Sequence, residues 1–149
     1  MKSGAGAHGY RKILLGYDGS ENARRALGRA IAIATEQAAA LRIVVAVNTI
    51  LRVYGPAPYY PPDYADQVIK EGEKTLAEAV GRAKQAGGKV SGSVEDGHPA
   101  EMILNLAEKE SADLIVLGRR GISGVERFLM GGVSSTVVNH SKCDVLIVK

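Results

Sequence analysis

The chain has 149 residues, enough for one domain that buries most of its own apolar surface. Its single cysteine excludes an internal disulfide framework and suits a reducing compartment. Charge is mixed, with 19 basic and 16 acidic side chains and only 5% aromatic residues, whereas a surface for RNA or single strands interleaves basic residues with stacking aromatics; no nucleic-acid partner is expected.

Residues 1–9 lack the apolar centre of a secretory signal and read as a flexible leader before a single domain at 10–149. No stretch reaches the roughly 18–20 apolar residues of a membrane span, and the expected location is cytoplasmic. Lys12 to Tyr17 reads as a buried first strand. Ser20 then caps a helix whose apolar stripe is Ala23, Ala26, Leu27, Ala30, Ile31 and Ala34. Leu41 to Val47, rich in β-branched residues, is the second strand. A helix from about Asp63 to Ala86 carries Leu76, Ala79, Val80 and Ala83 on its inner face and ends at Gly87-Gly88.

Lys89 to Glu95 alternates apolar and polar residues, which puts a third strand near a sheet edge. Pro99 occupies a first helical position, followed by Ala100, Ile103, Leu104 and Ala107 on one face. Asp113 to Leu117 is the fourth strand, and a short helix from about Gly132 to His140 leads to a fifth, Val145 to Val148. This alternation predicts an α/β fold: a single-domain open parallel five-stranded sheet, Rossmann-like, with helices on both faces. Right-handed crossovers bring every strand-to-helix turn to one edge, where open α/β sheets bind ligands.

Leu51 to Tyr64 breaks the rhythm with four of the five prolines and four of the six tyrosines. It reads either as a lid over the ligand edge or as a stiff surface connection. His98 reads as a helix-cap residue, His140 as a helix-end residue favoured by the dipole, and Cys143 as a small buried residue. The histidines have no metal-ligand spacing.

The segment that carries chemistry follows the fourth strand. Gly118, Gly121, Gly124, Gly131 and Gly132 fall within fifteen residues and are closed by Ser134, Ser135 and Thr136. Glycines there let backbone approach a ligand closely, and unpaired N–H groups opening a helix can face a phosphate. The segment is not a P-loop, for Gly-x4-Gly-Lys-Ser/Thr is missing. It is not the dinucleotide fingerprint either, which follows the first strand of a βαβ unit. Asp18, ending the first strand, reads either as a turn residue in Asp-Gly-Ser or as a carboxylate for a ribose hydroxyl or a Mg²⁺-bound phosphate. Arg119, Arg120 and Arg127 are candidates to neutralise phosphate charge, each also readable as a solvated surface residue.

Gly118, Gly121 and Gly131 keep the spacing Gly-x2-Gly-x9-Gly. With this strand context the chain resembles the universal stress protein family, in its ATP-binding branch. The likeness extends over about residues 10–149, including Asp18, Ala46-Val47, Gly97-His98-Pro99 and Cys143 to Val148. It implies ATP with Mg²⁺ as ligand, with Asp18 as the metal-facing carboxylate. Gly16, Tyr17 and Asp18 would lie against adenine and ribose, and backbone at Val47 would meet the adenine edge. Gly118, Arg119, Arg120 and Gly121, with Ile122, Ser123 and Gly124 after them, would wrap the ribose and phosphates. Gly131, Gly132, Val133 and Ser134 would bind the phosphate tail. One position departs: Gly132 stands where the family has Ser or Thr, so a hydroxyl is lost while the backbone donor remains, with Ser134 or Ser135 one turn on.

The resemblance also implies a homodimer through Val145–Val148, whose exposed edge invites pairing. No base–nucleophile pair is evident, with Asp18 the carboxylate nearest the edge and Asp96 and Glu126 outside candidates. The expected role is therefore a nucleotide-responsive stress-response module with an unidentified protein partner, slow ATP hydrolysis being compatible with it. Two alternatives are a nucleotide-free dimeric scaffold, favoured by Gly132, and a receiver-type switch phosphorylated at Asp96, which would leave the glycines unexplained.

Overall fold

In the computed structural model, which describes residues 9–49, 62–119 and 132–149, the elements alternate as the sequence predicts. They are β1 (Lys12–Gly16), α1 (Glu21–Gln37), β2 (Ala40–Val47), α2 (Tyr64–Gln85), β3 (Val90–Asp96), α3 (Pro99–Lys109), β4 (Leu114–Gly118), α4 (Gly132–His140) and β5 (Asp144–Val148). All strand pairs are parallel, in the order β3-β2-β1-β4-β5. Residues 1–8 of the leader, residues 50–61 with most of the Pro/Tyr segment, and residues 120–131 lie outside the described residues.

Successive strand residues point to opposite faces, so each inner strand feeds two cores. Ile13, Leu15, Ile43, Val45 and Val116 pack with the small face of α1 (Ala23, Ala26, Ala30, Ala34) and with Ala79 and Ala83 of α2. Leu14, Val44, Ile115 and Leu117 pack on the other side with Ala100, Ile103 and Ala107 of α3 and Val137 of α4. Each fully buried Leu, Ile or Val in these layers contributes roughly 1.5–3 kcal/mol. Ile31, Leu76, Val80 and Leu104, which periodicity assigns to inner faces, are only partly buried at the rims of the same layers.

The helix starts follow their local chemistry. Ser20 Oγ accepts the Ala23 N–H at 3.2 Å, capping α1. His98 occupies the N-cap of α3 with Pro99 behind it, but its ring makes no capping bond, so only its backbone serves the cap. The His140 ring bonds back to the Thr136 carbonyl of its own helix at 2.9 Å. Cys143 is half-buried rather than buried: it packs on the α3/α4 layer while Ser141 Oγ sits 3.4 Å from its sulfur. Both sheet edges are where the sequence puts them, β3 on one side and β5 on the other.

Candidate functional site

The strand order reverses direction between β1 and β4. From β1 the chain turns to β2, and from β4 it turns to β5, so the two connections part and leave a crevice at the carboxyl ends of these strands. Such switch points are where open α/β sheets bind ligands.

On the β1 side, the Tyr17 N–H extends the ladder to the Val44 carbonyl at 2.9 Å. The Tyr17 side chain continues the alternation of Ile13 and Leu15 and is 3% exposed in the α1/α2 core. It therefore offers the crevice backbone only. Its hydroxyl is buried, and no group among the described residues meets it with full hydrogen-bond geometry; the Arg24 guanidinium is the polar group beside it. Burial, reinforced by the Glu78 carboxylate and partly offset by the Arg24 guanidinium, raises its pKa. Asp18 is exposed, and one of its oxygens accepts the Ser20 N–H at 2.9 Å across Gly19, whose φ of +78° suits a residue without Cβ. Asp18 is thus a turn former at the mouth of the crevice, which realises one of its two sequence readings.

On the β4 side, a Cβ at Gly118 would fall 2.8 Å from the Asn22 carbonyl carbon and 2.9 Å from its oxygen. Glycine here has a packing reason that the sequence alone does not reveal: the first turn of α1 rests against the end of β4. The Arg119 N–H donates to Val148 of β5 at 2.8 Å. Ser134, 3% exposed, donates to the Gly118 carbonyl at 2.8 Å, with the Arg119 carbonyl 3.1 Å away. The Ser134 hydroxyl proton, which the sequence offered to a phosphate, instead fastens the start of α4 to the end of β4. Val133 is half-buried against the α3/α4 layer, and a Cβ at Gly132 would meet nothing within 4 Å. As the first turn of a helix, this stretch leaves backbone N–H groups without helical partners. Arg120, Gly121, Ile122, Ser123, Gly124, Glu126, Arg127 and Gly131 lie outside the described residues.

At the β2 exit the Val47 carbonyl accepts the Gly97 N–H at 2.8 Å. The neighbouring Asp96 carboxylate accepts the Thr49 N–H at 3.1 Å and also the Thr49 hydroxyl. These two bonds hold the Asp96 pKa below the usual carboxylate range, which makes it a poor base. Sequence reasoning missed Thr49 altogether; its only signal was a hydroxyl residue just past a strand end.

No group of three or more His, Cys, Asp or Glu among the described residues could hold a metal ion. A Mg²⁺ carried by phosphates needs only one or two protein carboxylates, and Asp18 fits that lesser demand. No described helix is long and apolar enough to cross a membrane. A separate groove at the opposite edge is lined by Lys12, Arg42, Lys89, Leu106 and Glu110, among others. The Arg42–Glu110 ion pair at 3.1 Å and the Arg42–Ser93 bond at 2.9 Å brace it; it faces away from the switch point.

Five parallel strands, two helices on each face and a crevice at the reversal of strand order define an open, doubly wound α/β domain. The chain belongs to the universal stress protein family, which matches residues 9–149. It is 35% identical over 147 residues to the universal stress protein YxiE of Bacillus subtilis, covering 94% of this chain and 99% of that one. Among solved structures it is similar to a universal stress protein in complex with cAMP, at 33% identity and a TM-score of 0.71, covering 94% and 97% of the two chains. It is similar also to UspA of Lactobacillus plantarum, at 25% identity and a TM-score of 0.72, covering 95% and 99%. Family membership displaces the receiver-type alternative.

Proposed function

We propose that this protein binds ATP with Mg²⁺ in the crevice between β1 and β4 and acts as a nucleotide-responsive, dimeric stress-response module. The observation that carries the reading is the meeting, at the switch point, of the β1 exit, the end of β4 and the first turn of α4. Similarity to a relative solved with cAMP supports an adenine nucleotide as the ligand.

In this reading Gly16, Tyr17 and Asp18 flank adenine and ribose through backbone and the Asp18 carboxylate, which also faces the Mg²⁺. Backbone at Val47 meets the adenine edge. Gly118 to Gly124 wrap the ribose and phosphates, and Gly131 to Ser134 present N–H groups to the phosphate tail, where the helix dipole favours negative charge. Mg²⁺ supplies charge neutralisation along the triphosphate. The reading is one of binding, with β5 pairing to a second copy.

A second reading, a nucleotide-free dimeric scaffold, is favoured by Gly132, which lacks the hydroxyl its family carries there. Calorimetric titration of ATP, ADP and cAMP, with and without Mg²⁺, separates the two in wild type and Gly121→Val. Nucleotide binding lost in the variant is expected, because a side chain blocks close backbone approach. No binding to wild type favours the scaffold, and equal binding to both proteins removes the glycine loop as the site.

A further inference from the structure

The ladder between β1 and β2 ends at Gly16 and Val44, whereas the ladder between β2 and β3 runs on to Val47 and Asp96. Val45, Ala46 and Val47 therefore extend past β1 toward the ligand edge with strand pairing on the β3 side alone. Three bonds finish that side: the Gly97 N–H to the Val47 carbonyl at 2.8 Å, the Thr49 N–H to Asp96 at 3.1 Å, and the Thr49 hydroxyl to the same carboxylate. Both Asp96 oxygens take part, one for each Thr49 donor. The carboxylate belongs to the edge strand, two strands away from β1 at about 4.8 Å per strand.

We propose that Asp96 is a positioning residue for the nucleotide base: by clamping Thr49 it fixes the backbone from Val47 to Thr49 that forms the base-facing wall of the crevice. The inference rests on the adenine-nucleotide reading above. Asp96 acts through Val47 and Thr49 and touches no part of the ligand. Its effect therefore falls on recognition of the base and not on the phosphates, which meet the β4–α4 side. The depressed pKa of Asp96 fits this role, since the clamp stays charged at neutral pH.

The test measures affinities of wild type, Asp96→Ala, Asp96→Asn and Thr49→Val for ATP, GTP and inorganic tripolyphosphate, each with Mg²⁺. Asp96→Ala is expected to weaken ATP about tenfold and to narrow the ATP/GTP ratio, with tripolyphosphate unchanged. Asp96→Asn recovers part of the loss, because its amide oxygen still accepts one Thr49 donor. Thr49→Val loses less than Asp96→Ala, and the double variant Asp96→Ala/Thr49→Val is no worse than Asp96→Ala alone. Melting without ligand accompanies each titration; should Asp96→Ala not fold, Thr49→Val carries the comparison. An unchanged ATP affinity and ATP/GTP ratio in Asp96→Ala overturns the clamp while leaving the binding reading intact. Equal losses for ATP and tripolyphosphate also overturn it, since they mark a general structural defect. Failure of wild type to bind any adenine nucleotide overturns both.

Discussion

Replacing Gly118 by alanine separates a packing reason for this glycine from a ligand reason. The new Cβ would lie 2.8 Å from the Asn22 carbonyl carbon, 2.9 Å from its Cβ and 2.9 Å from its oxygen. None of these atoms lies at the end of a flexible side chain, so relief requires α1 and β4 to move apart by several tenths of an ångström. But α1 also carries Ala23, Ala26, Leu27, Ala30 and Ala34 into the core, and a close-packed layer transmits such a shift. Overpacking costs about 1–3 kcal/mol, and contacts to backbone put Gly118 at the upper end. Part is offset by about 0.5–1 kcal/mol from replacing a strand glycine, leaving a net loss of about 2 kcal/mol. At roughly 2–4 °C per kcal/mol for a chain of this size, the melting temperature falls by about 4–8 °C. Scanning calorimetry without nucleotide reads this directly. Gly132→Ser is the control, since a Cβ there meets nothing within 4 Å; its melting temperature stays at the wild-type value. If Gly118→Ala melts with wild type, the packing argument is wrong and the glycine serves something other than α1.

Three further variants test other parts of the structure. Ser134→Ala strands the carbonyls of Gly118 and Arg119 at a position that is 3% exposed, so the urea midpoint drops by the equivalent of about 1–2 kcal/mol at unchanged m. Tyr17→Phe removes a buried hydroxyl that makes no hydrogen bond of full geometry among the described residues and has only the Arg24 guanidinium beside it, and stability at pH 7 is equal to or above wild type in urea unfolding. Because the folded-state pKa of Tyr17 is raised, its stabilising share is complete below its unfolded value near pH 10 and is lost as pH rises through the folded value; Tyr17→Phe lacks that alkaline loss in unfolding curves measured from pH 9 upward. If β5 pairs with a second copy as proposed, Leu146→Lys, which puts a charge on a partly buried residue of that strand packed against the α1/α2 core, yields monomer by sedimentation velocity with the fold checked by melting. An unchanged dimer contradicts pairing through this strand.

What the sequence made legible was whatever depends on neighbours along the chain. The continuous apolar run in Lys12–Gly16 and the 3.6-residue spacing in Glu21–Gln37 are local patterns, as is Ser20 at a helix start. The alternation of Lys89 to Glu95 also announced an edge strand correctly, observed as Val90–Asp96. What stayed hidden joins distant residues: Thr49 meets Asp96 across 47 positions, and Arg42 meets Glu110 across 68. Gly118 shows the same limit from the other side. Its spacing marked it as a loop glycine facing a ligand, while the crowding around it comes from Asn22 on a different element. Ser134 was legible as a residue of the site but not for what its hydroxyl does, because that depends on the end of β4 passing 2.8 Å away.

The contact between Gly118 and Asn22 has a mechanical meaning. Asp18 is tied to Ser20, Ser20 caps α1, and α1 rests on the end of β4, which Ser134 and Arg119 join to α4 and β5. Among the described residues these links tie both the β1 and the β4 walls of the crevice to α1, α4 and β5. The opposing side, the β2 exit, projects beyond its ladder with β1 and is steadied from β3. In the proposed nucleotide-binding reading, that thinner lip, with strand pairing on one side only, is the side with fewer ties to resist adjustment.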